Sequence, residues 1–502
     1  METIIRQILT SKVYEAAVET PLDNAVVLSR RRNNTIRLKR EDLQPVFSFK
    51  LRGAYNRIAH LTPEQREKGV IAASAGNHAQ GMAYAGRLLG IKVLIVMPVT
   101  TPQIKIDAVK HYGAKVILHG VSYSESAGFA AKKAASCGME VIHPFDDALV
   151  IAGQGTVAHE LLRQNPGDLD AVFVPVGGGG LLAGMAAYIK LLRPDVQVFG
   201  VEPGDSDAMA RSLEKGEIVT LDDVGIFADG VAVKTVGAKT FDLCRKFVDG
   251  IIRVNTDEIC SGIKAIYEAT RSIAEPAGGL ATAGLLKHIR ETGCTGKTLV
   301  AVNSGANMNF ERLRFVAERT LIGEKQEALF AVTIPEKVGS LKTFCQDMVG
   351  DRNITEFNYR LENRDCARIF VGISMGVPEE RDALSQQLSK AGYENIDLTD
   401  NELAKNHIRH MVGGRSEKAE NERLFRFWFP ERPGALVNFL DAIKGDLNIS
   451  LFHYRAHGGD FGRVLVGLEV PQGHGQALSE RLKRLGYRFI EETQNPACGL
   501  FL

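Results

Sequence analysis

The chain has 502 residues, of which 45% are hydrophobic and 24% are charged, and its formal net charge at pH 7 is +1. This composition is typical of a globular protein of two to four domains, and the balanced charge argues against a nucleic-acid or membrane-surface partner. Seven scattered cysteines without a Cys-x-x-Cys pair indicate a reducing compartment, so we expect a cytoplasmic protein.

Three segments could suggest a membrane or nucleic-acid role, and each has a simpler interpretation. Residues 2–9 predict an amphipathic helix and lack the apolar core of a signal peptide. The basic residues Arg30-Arg31-Arg32 and Lys39-Arg40 are interpreted as a solvated loop. Residues 171–189 carry no charge, but Pro175 and four consecutive glycines divide them into a strand and a helix, so we predict no membrane span.

From about residue 36 to 320, short β-branched runs alternate with helix-length segments such as 79–89 and 181–192. The runs predicted as strands lie at 69–73, 93–97, 115–118, 171–175, 197–201 and 297–302. Strands separated by crossover helices are typical of parallel sheets with helices on both faces. Because this span is long for one sheet, we predict an α/β region of two sheets.

The C-terminal part contains an internal repeat with an offset of 95 residues. Between positions 329 and 372, eighteen of 44 residues are identical to the residue 95 positions later, and the pairs include Pro335/Pro430 and Gly339/Gly434. Unrelated sequences would give roughly two or three identities. Each copy has the order strand, turn, helix, strand, strand, helix, strand, which is the ferredoxin-like βαββαβ order.

These patterns divide the chain into three predicted domains. An α/β domain is expected at 1–322, and ferredoxin-like subdomains are expected at 326–400 and 421–502. A charged connection that contains Gly413-Gly414 joins the two subdomains.

The first candidate for chemistry is Lys50, which follows apolar, hydroxyl and aromatic residues at 46–49 and precedes a helix-like basic segment. Because burial disfavours the charged ammonium, a lysine in such a run is either a snorkelling surface residue or a group with a lowered pKa. The pattern alone favours the surface residue. Two glycine-rich loops elsewhere in the chain make Lys50 a candidate Schiff-base lysine.

The segment Gly177-Gly178-Gly179-Gly180 follows a predicted strand and precedes an apolar helix. Four glycines let backbone N–H groups converge on an anion at the positive end of a helix dipole, and a phosphate suits such a site. One alternative is a dinucleotide fingerprint, because Gly178-x-Gly180-x-x-Ala183 fits that pattern and Glu202 ends the next strand. The other is a glycine turn that serves only close packing.

Two further loops follow predicted strands. The segment 74–81 combines small residues, hydrogen-bonding side chains and helix-start N–H groups that suit a carboxylate, and the alternative is a capped helix N-terminus. Ser304 is either a helix cap or a hydroxyl directed at a heteroaromatic nitrogen.

Together these segments supply a lysine, a phosphate site, a carboxylate site and a hydroxyl. Three of the four lie after strands, where open α/β sheets bind ligands. A cofactor with both an aldehyde and a phosphate needs this set, because lysine forms an imine, glycines hold the phosphate and polar groups tune the ring. We therefore predict pyridoxal 5′-phosphate in preference to a dinucleotide, which would not need the surroundings of Lys50.

The four segments resemble the motifs of the serine/threonine dehydratase family of fold-type II pyridoxal-phosphate enzymes, and the resemblance extends over essentially the whole chain. The matching segments are SFKLRGA at 48–54, SAGNHAQG at 74–81, PVGGGGL at 175–181 and NSGAN at 303–307. The resemblance implies a catalytic domain of two parallel-sheet subdomains, followed by two ACT-like regulatory subdomains.

The resemblance also implies roles for individual residues. Lys50 would be the catalytic lysine that binds the cofactor, Phe49 would pack beside the ring, and Asn77 would contact its phenolic oxygen. Ser304 would meet the pyridine nitrogen. The implied phosphate loop is Gly177, Gly178, Gly179, Gly180 and Leu181. The implied substrate loop is Ser74, Ala75, Gly76, Asn77 and His78.

Two positions argue against other properties of related enzymes, namely racemisation and cation binding. Related serine racemases carry a second serine base at the position of Ala75, so alanine there fits elimination and not racemisation. Relatives can also bind a cation, and Glu202 matches its first ligand. Because Ala208 stands where a carboxylate is expected, we assign no metal.

The resemblance finally implies the elimination of ammonia from L-threonine to give 2-oxobutanoate, at the entry to isoleucine biosynthesis. The tail would sense isoleucine as inhibitor and valine as its antagonist, through loops at 335–341 and 430–436, and a homotetramer is expected. Three alternatives stay open: a serine-preferring dehydratase, a non-catalytic amino-acid-binding regulator, and a tail that only mediates oligomerisation.

Overall fold

The computed structural model describes residues 2–350, 352–362, 364–377, 379–411, 413, 416–430, 435–443, 447–455, 461–495 and 498. The chain divides into two compact units, an N-terminal unit, Met1–Gly323, and a C-terminal unit, Glu324–Leu502. No helix in the described part of the chain is long and apolar enough to cross a membrane.

The N-terminal unit alternates helices and strands along most of its length. Its helices are α1 (Glu2–Leu9), α2 (Val26–Arg32), α3 (Lys50–Ala59), α4 (Pro63–Lys68), α5 (Asn77–Leu89), α6 (Gln103–His111), α7 (Tyr123–Cys137), α8 (Ala148–Gln164), α9 (Gly180–Leu192), α10 (Ala208–Lys215), α11 (Ala238–Phe247), α12 (Thr256–Thr270), α13 (Pro276–Thr292) and α14 (Arg312–Gly323). Its strands are β1 (Leu22–Asn24), β2 (Thr35–Arg40), β3 (Val70–Ala73), β4 (Val93–Met97), β5 (Lys115–Leu118), β6 (Glu140–Val141), β7 (Ala171–Pro175), β8 (Gln197–Pro203), β9 (Gly250–Val254) and β10 (Thr298–Asn303).

Within residues 2–323, all of which the structure describes, the strands form two sheets, and this confirms the predicted two-sheet α/β region. The larger has six strands in the order β1-β2-β10-β7-β8-β9, and all neighbours are parallel except β1 and β2. The smaller has four parallel strands in the order β5-β4-β3-β6. Because parallel strands end at one edge of a sheet, the loops after β7 and β10 open at the same edge.

Local sequence signals set the ends of the helices beside these loops. Asp147 caps α8, because its carboxylate accepts hydrogen bonds from the N–H groups of Leu149 and Val150. Helix α13 begins with Pro276 at its first position, where the missing N–H of proline costs no helix hydrogen bond. Glu275 is therefore held at the N-cap position of α13.

The interpretation of Lys39 and Arg40 as part of a solvated loop is wrong, because both lie in strand β2 and are buried. The Lys39 ammonium lies 2.6 Å from the Glu160 carboxylate, and Arg52 pairs with Glu160 at 2.5 Å and with Glu41 at 2.7 Å. All four of these side chains have no exposed surface. Mutual pairing is what lets these charges be buried.

The C-terminal unit has shorter helices and longer strands. Its described helices are α15 (Ser340–Phe344), which continues as a π-helical turn at Cys345–Val349, α16 (Glu380–Lys390), α17 (Glu402–Asn406), α18 (Ala435–Ala442) and α19 (Gly475–Leu485). Its described strands are β11 (Glu327–Pro335), β12 (Ile354–Arg360), β13 (Cys366–Ser374), β14 (Glu394–Asp397), β15 (Glu422–Pro430), β16 (Asn448–Arg455), β17 (Phe461–Glu469) and β18 (Phe489–Glu491).

The two halves of this unit have the same βαββαβ order, which confirms the ferredoxin-like repeat predicted from the sequence. Among the described residues, the strands form one sheet in the order β14-β11-β13-β12-β16-β17-β15-β18. Antiparallel pairing of β12 with β16 joins the two repeats, with Tyr359 opposite Phe452. Residues 431–434 of the loop predicted at 430–436, and Gly414 of the connection, lie outside the described residues.

Candidate active site

Lys50 is the first residue of helix α3 and lies beside the loop that follows β10. Its Nζ donates a hydrogen bond to the carbonyl oxygen of Pro144 at 3.1 Å and lies 5.3 Å from the centre of the Phe49 ring. The N–H of Phe49 donates to the carbonyl oxygen of Ser304 at 3.2 Å. The loop after β10 therefore lies directly beside the start of α3.

The neutral form of the Lys50 amine is populated near physiological pH. Burial lowers the pKa of Lys50 to about 8, and the nearby carboxylate of Glu275 opposes this effect. A lysine in water, with a pKa near 10.4, would hold far less than 1% neutral amine at pH 7. The amine can therefore act as a nucleophile or a base, the role that the sequence predicts for Lys50.

The glycine loop leaves no space for side chains. A Cβ added to Gly178 would overlap the ring of Phe145, and one added to Gly179 would lie 2.5 Å from the Met209 side chain. Gly179 also has a left-handed backbone with φ of +93°, which disfavours any other residue. The hydroxyl of Thr240 donates to the carbonyl oxygen of Gly178 at 2.6 Å and fixes that peptide plane.

This loop ends in the first turn of α9, so backbone N–H groups and the helix dipole favour an anion there. Phe145, which packs on the loop, directly follows Pro144, whose carbonyl accepts the Lys50 hydrogen bond. Lys50 and the glycine loop therefore contact neighbouring residues of the same segment, Pro144 and Phe145.

The loop 74–78 connects β3 to α5, and Ser74 to Asn77 are partly exposed. The Asn77 side-chain amide donates from Nδ2 to Oε1 of Glu275 at 2.6 Å, and its Oδ1 accepts a hydrogen bond from Asn307 at 2.7 Å. Asn77 is thus held between the loop after β10 and the start of α13.

His78 differs from the other members of that loop. Its ring is buried, with Nε2 3.0 Å from the carbonyl oxygen of Ile142, and burial lowers the pKa of His78 to about 3. The imidazole is therefore neutral and serves packing. Only the backbone of this residue is left to contact a substrate.

Ser304 follows β10 and is almost fully buried. Its Oγ donates to the carbonyl oxygen of Ala277 at 3.3 Å, and a β-bridge joins Ser48 to Gly305. The structure therefore brings the lysine, the glycine loop, the loop 74–78 and Ser304 together in one place.

Three further residues of the site have little or no signal in the sequence. Phe145 covers the glycine loop, Thr240 holds its Gly178 carbonyl, and Glu275 binds Asn77. Glu275 had one local signal, because a carboxylate directly before a helix-starting proline is a candidate cap. Phe145 follows a strand of only two residues, β6, which is too short to be recognised by its pattern.

Glu202 decides against the dinucleotide alternative. Both carboxylate oxygens accept hydrogen bonds from the first turn of α10, from the N–H groups of Met209 and Ala210, at 3.0 and 2.9 Å. Burial raises the pKa of Glu202 to about 8. This carboxylate is committed to a helix and is not available for a ribose. Among the described residues, no group of three or more His, Cys, Asp or Glu side chains is arranged to hold a metal.

Comparison with known families agrees with this geometry. A profile of pyridoxal-phosphate-dependent enzymes matches residues 13–305, and a profile of the C-terminal regulatory domain of threonine dehydratase matches residues 318–408 and 413–502. The chain belongs to the pyridoxal-phosphate-dependent enzyme family. Its C-terminal unit consists of two copies of the regulatory domain, and pyridoxal phosphate is its cofactor.

Individual relatives give the same picture. The chain is 54% identical to the L-threonine dehydratase biosynthetic IlvA of Burkholderia multivorans over 99% of both chains, and 51% identical to the protein of that name from Escherichia coli over 99% of this chain and 96% of the other. A solved threonine deaminase isoform 2 from Solanum lycopersicum is similar, with a TM-score of 0.62, 46% identity and coverage of 63% of this chain and 87% of that one.

The residues present fit the cofactor of this family. Four residues without side chains lead into the first turn of α9, where backbone N–H groups favour a phosphate, and a buried amine with a lowered pKa suits imine formation. Lys50 and the loop 177–180 would hold its two ends, and Asn77 and Ser304 would contact its ring.

Proposed function

We propose that this protein is an L-threonine ammonia-lyase, which converts L-threonine to 2-oxobutanoate and ammonia. The observation that carries the proposal is the meeting of a readily deprotonated lysine with a glycine phosphate loop, an amide and a hydroxyl around one site. The names of relatives that match nearly the full chain support threonine as the substrate.

The chain's own residues account for the elimination as follows. When bound, pyridoxal phosphate withdraws electrons from the Cα of the amino acid that it carries. The neutral amine of Lys50 removes the Cα proton, and the resulting ammonium returns a proton to the β-hydroxyl, which leaves as water when the Cβ–O bond breaks. The product is an enamine, and its hydrolysis gives 2-oxobutanoate and ammonia. Such a positioned base contributes about 10²–10⁴-fold to the rate.

Two further positions direct the reaction toward elimination. Ala75 lacks a titratable group, so the loop 74–78 offers no second side-chain base at that position. The hydroxyl of Ser304 is a weaker partner for a pyridine nitrogen than a carboxylate, because it does not favour the protonated ring. Both features favour rapid loss of the β-substituent over racemisation or transamination.

Purified protein with pyridoxal phosphate tests this proposal. We expect a visible absorbance that Lys50→Ala abolishes, and keto-acid release with a higher kcat/KM for L-threonine than for L-serine. A higher value for L-serine would support the serine-preferring alternative. Visible absorbance without turnover of either amino acid would support a non-catalytic regulator, and normal turnover by Lys50→Ala would refute the site.

We also propose that isoleucine inhibits the enzyme by binding to the C-terminal unit and that valine opposes it. A pocket lies at the predicted ligand loop of the first repeat. Apolar side chains of both repeats line it, among them Ile369 and Ile443, and they suit a branched alkyl chain. The Glu336 carboxylate, which accepts a hydrogen bond from Tyr359 at 2.6 Å, offers a counter-charge for the amino group.

The substitution Glu336→Gln tests this pocket. Loss of the counter-charge should raise the isoleucine concentration for half-inhibition by about tenfold, while the activity without isoleucine stays unchanged. The matched control is Glu420→Gln, which removes a carboxylate of the same unit that is 80% exposed. Equal responses to isoleucine in the two variants would exclude Glu336 from the effector site.

The remaining parts of the proposal concern the state of the protein in the cell. We propose a cytoplasmic homotetramer, because the cysteine pattern suits a reducing compartment and paired sensor domains commonly associate. Light scattering coupled to gel filtration measures the assembly directly, and a monomeric mass of 54.8 kDa would contradict it.

A further inference from the structure

We propose that Glu275 is a positioning residue, which holds the Asn77 amide in the one orientation that presents an N–H donor to the phenolic oxygen of the cofactor. The inference deepens the proposed function and rests on the cofactor contact proposed for Asn77. Glu275 lies at the N-cap position of α13 and touches none of the reacting atoms directly in this scheme.

The hydrogen bonds around Asn77 form a chain in which Asn307 donates to Asn77 and Asn77 donates to Glu275. Asn307 Nδ2 donates to the Val46 carbonyl oxygen at 2.8 Å and to Asn77 Oδ1 at 2.7 Å. Asn77 Nδ2 then donates to Glu275 Oε1 at 2.6 Å. An ionised carboxylate only accepts, so the end of Asn77 that faces ionised Glu275 is the NH₂ group, and the hydrogen bond from Asn307 to Asn77 Oδ1 favours the same orientation.

This arrangement determines which donor remains for the cofactor. The Nδ2 group carries two hydrogens, and Glu275 takes one of them. The second points elsewhere in the amide plane and is the donor that we assign to the phenolic oxygen. If the Glu275 carboxylate were absent, only the hydrogen bond from Asn307 would orient the Asn77 amide, and the turned-over amide, whose oxygen would repel the phenolate, would become more accessible.

Glu275 itself is fixed from several sides. It is 5% exposed, and its N–H donates to the carbonyl oxygen of Gly305 at 3.1 Å. A Cβ on Gly305 would lie 2.5 Å from Glu275 Oε1, and a Cβ on Gly230 would lie 3.8 Å from the same oxygen. Two backbone segments therefore close around the carboxylate, and its rotamer is set by packing before any ligand binds.

The charges that face Glu275 come from four elements. Lys50 at the start of α3 is coupled to it electrostatically, as are Asp229, Lys105 of α6 and Arg312 of α14. The last three are joined to one another, since Asp229 pairs with Lys105 at 2.5 Å and with Arg312 at 3.4 Å. Burial raises the pKa of Glu275 to about 7, so both of its protonation states are populated near neutral pH.

A set of full-length variants tests the inference by titrating the cofactor-free protein with pyridoxal phosphate. The variants are Asn77→Ala, Glu275→Ala, Glu275→Gln and the Asn77→Ala/Glu275→Ala double variant. The titration measures the dissociation constant of pyridoxal phosphate and the wavelength of the visible absorbance maximum of the complex. Should Glu275→Ala fail to fold, Glu275→Met, which is similar in length and cannot accept the hydrogen bond, takes its place.

If Glu275 acts through Asn77, Glu275→Ala and Asn77→Ala each weaken cofactor binding by about ten- to hundredfold and shift the absorbance maximum alike. The double variant is then no weaker than Asn77→Ala alone. Glu275→Gln keeps an accepting oxygen, so its affinity stays within about threefold of the wild type. The control Glu258→Ala removes a carboxylate of the α12 cap, outside the site, and leaves both readings unchanged.

Three results would overturn the inference, and they are distinguishable. Full additivity in the double variant shows that Glu275 acts independently of Asn77. Weak binding by Asn77→Ala with normal binding by Glu275→Ala shows that Asn77 needs no positioning, while the cofactor contact stands. Normal binding and normal absorbance in Asn77→Ala show that Asn77 does not contact the cofactor. Both this inference and the proposed contact of Asn77 then fail.

Discussion

At the scale of single residues, the site depends on a lysine whose charged form is disfavoured by burial. Burial lowers the pKa of Lys50 to about 8 from an ordinary value near 10.5. Only the neutral amine attacks an aldehyde, so the rate at which pyridoxal phosphate combines with cofactor-free protein should rise with pH and level off above about 8. Stopped-flow absorbance from pH 6 to 10 measures the midpoint. A midpoint near 10.5 would show that Lys50 is solvated.

A second residue-scale prediction concerns Gly178. A methyl group there would overlap the Phe145 ring, so Gly178→Ala should cost about 1–3 kcal/mol of stability and weaken cofactor binding. The matched control is Gly128→Ala, in an exposed position of α7 with nothing within 4 Å of an added Cβ. That change should stabilise the protein by about 0.5–1 kcal/mol. Thermal unfolding followed by cofactor absorbance compares the two, and a stabilising effect at position 178 would contradict close packing.

At the scale of secondary-structure elements, helix α3 is anchored by the buried ion pairs of its Arg52. Removal of this one cation leaves Glu41 and Glu160 beside only Lys39. Arg52→Met should therefore destabilise the N-terminal unit by about 3–5 kcal/mol, because buried carboxylates lose their compensation. The control Arg31→Met breaks a pair with Glu268 in which the arginine is 61% exposed, and it should cost at most about 1 kcal/mol. Urea midpoints followed by cofactor absorbance test the difference, and equal midpoints would refute the anchoring role.

The same elements show what the sequence could predict. Loops rich in glycine or hydroxyl residues after β-branched runs have local signals, so the segments at 74–81, 177–180 and 303–307 were found correctly at strand ends. The buried Lys39 was misread because its partner, Glu160, lies 121 residues away. Glu275 was missed for the same reason, since 198 residues separate it from Asn77. Long-range pairing leaves no periodic or local trace in a single sequence.

At the scale of the whole molecule, the chain joins a two-sheet α/β unit to a unit of two regulatory-domain repeats at residues 323 and 324. The repeat was predictable in detail, because duplication leaves identical residues at a constant offset, whereas the joining of both copies into one sheet through β12 and β16 was not. That pairing depends on which strand lies at the edge of the sheet in each repeat, and the constant offset between identical residues gives no information about this. The pocket of the first repeat consequently includes α18 of the second.

This division allows the regulatory proposal to be tested by truncation. A variant ending at Gly323 keeps α14 complete, and Arg319 of that helix still pairs with Asp257 of α12 at 3.2 Å. We expect it to retain threonine turnover and to lose the response to isoleucine, because the proposed effector site is removed. In the full-length protein, a coupling free energy of about 1–3 kcal/mol between the effector site and the active site corresponds to a 5–150-fold change in affinity. A variant ending at Glu311 lacks α14 and should lose stability instead. Isoleucine inhibition that persists in the Gly323 variant would assign the effector site to the N-terminal unit.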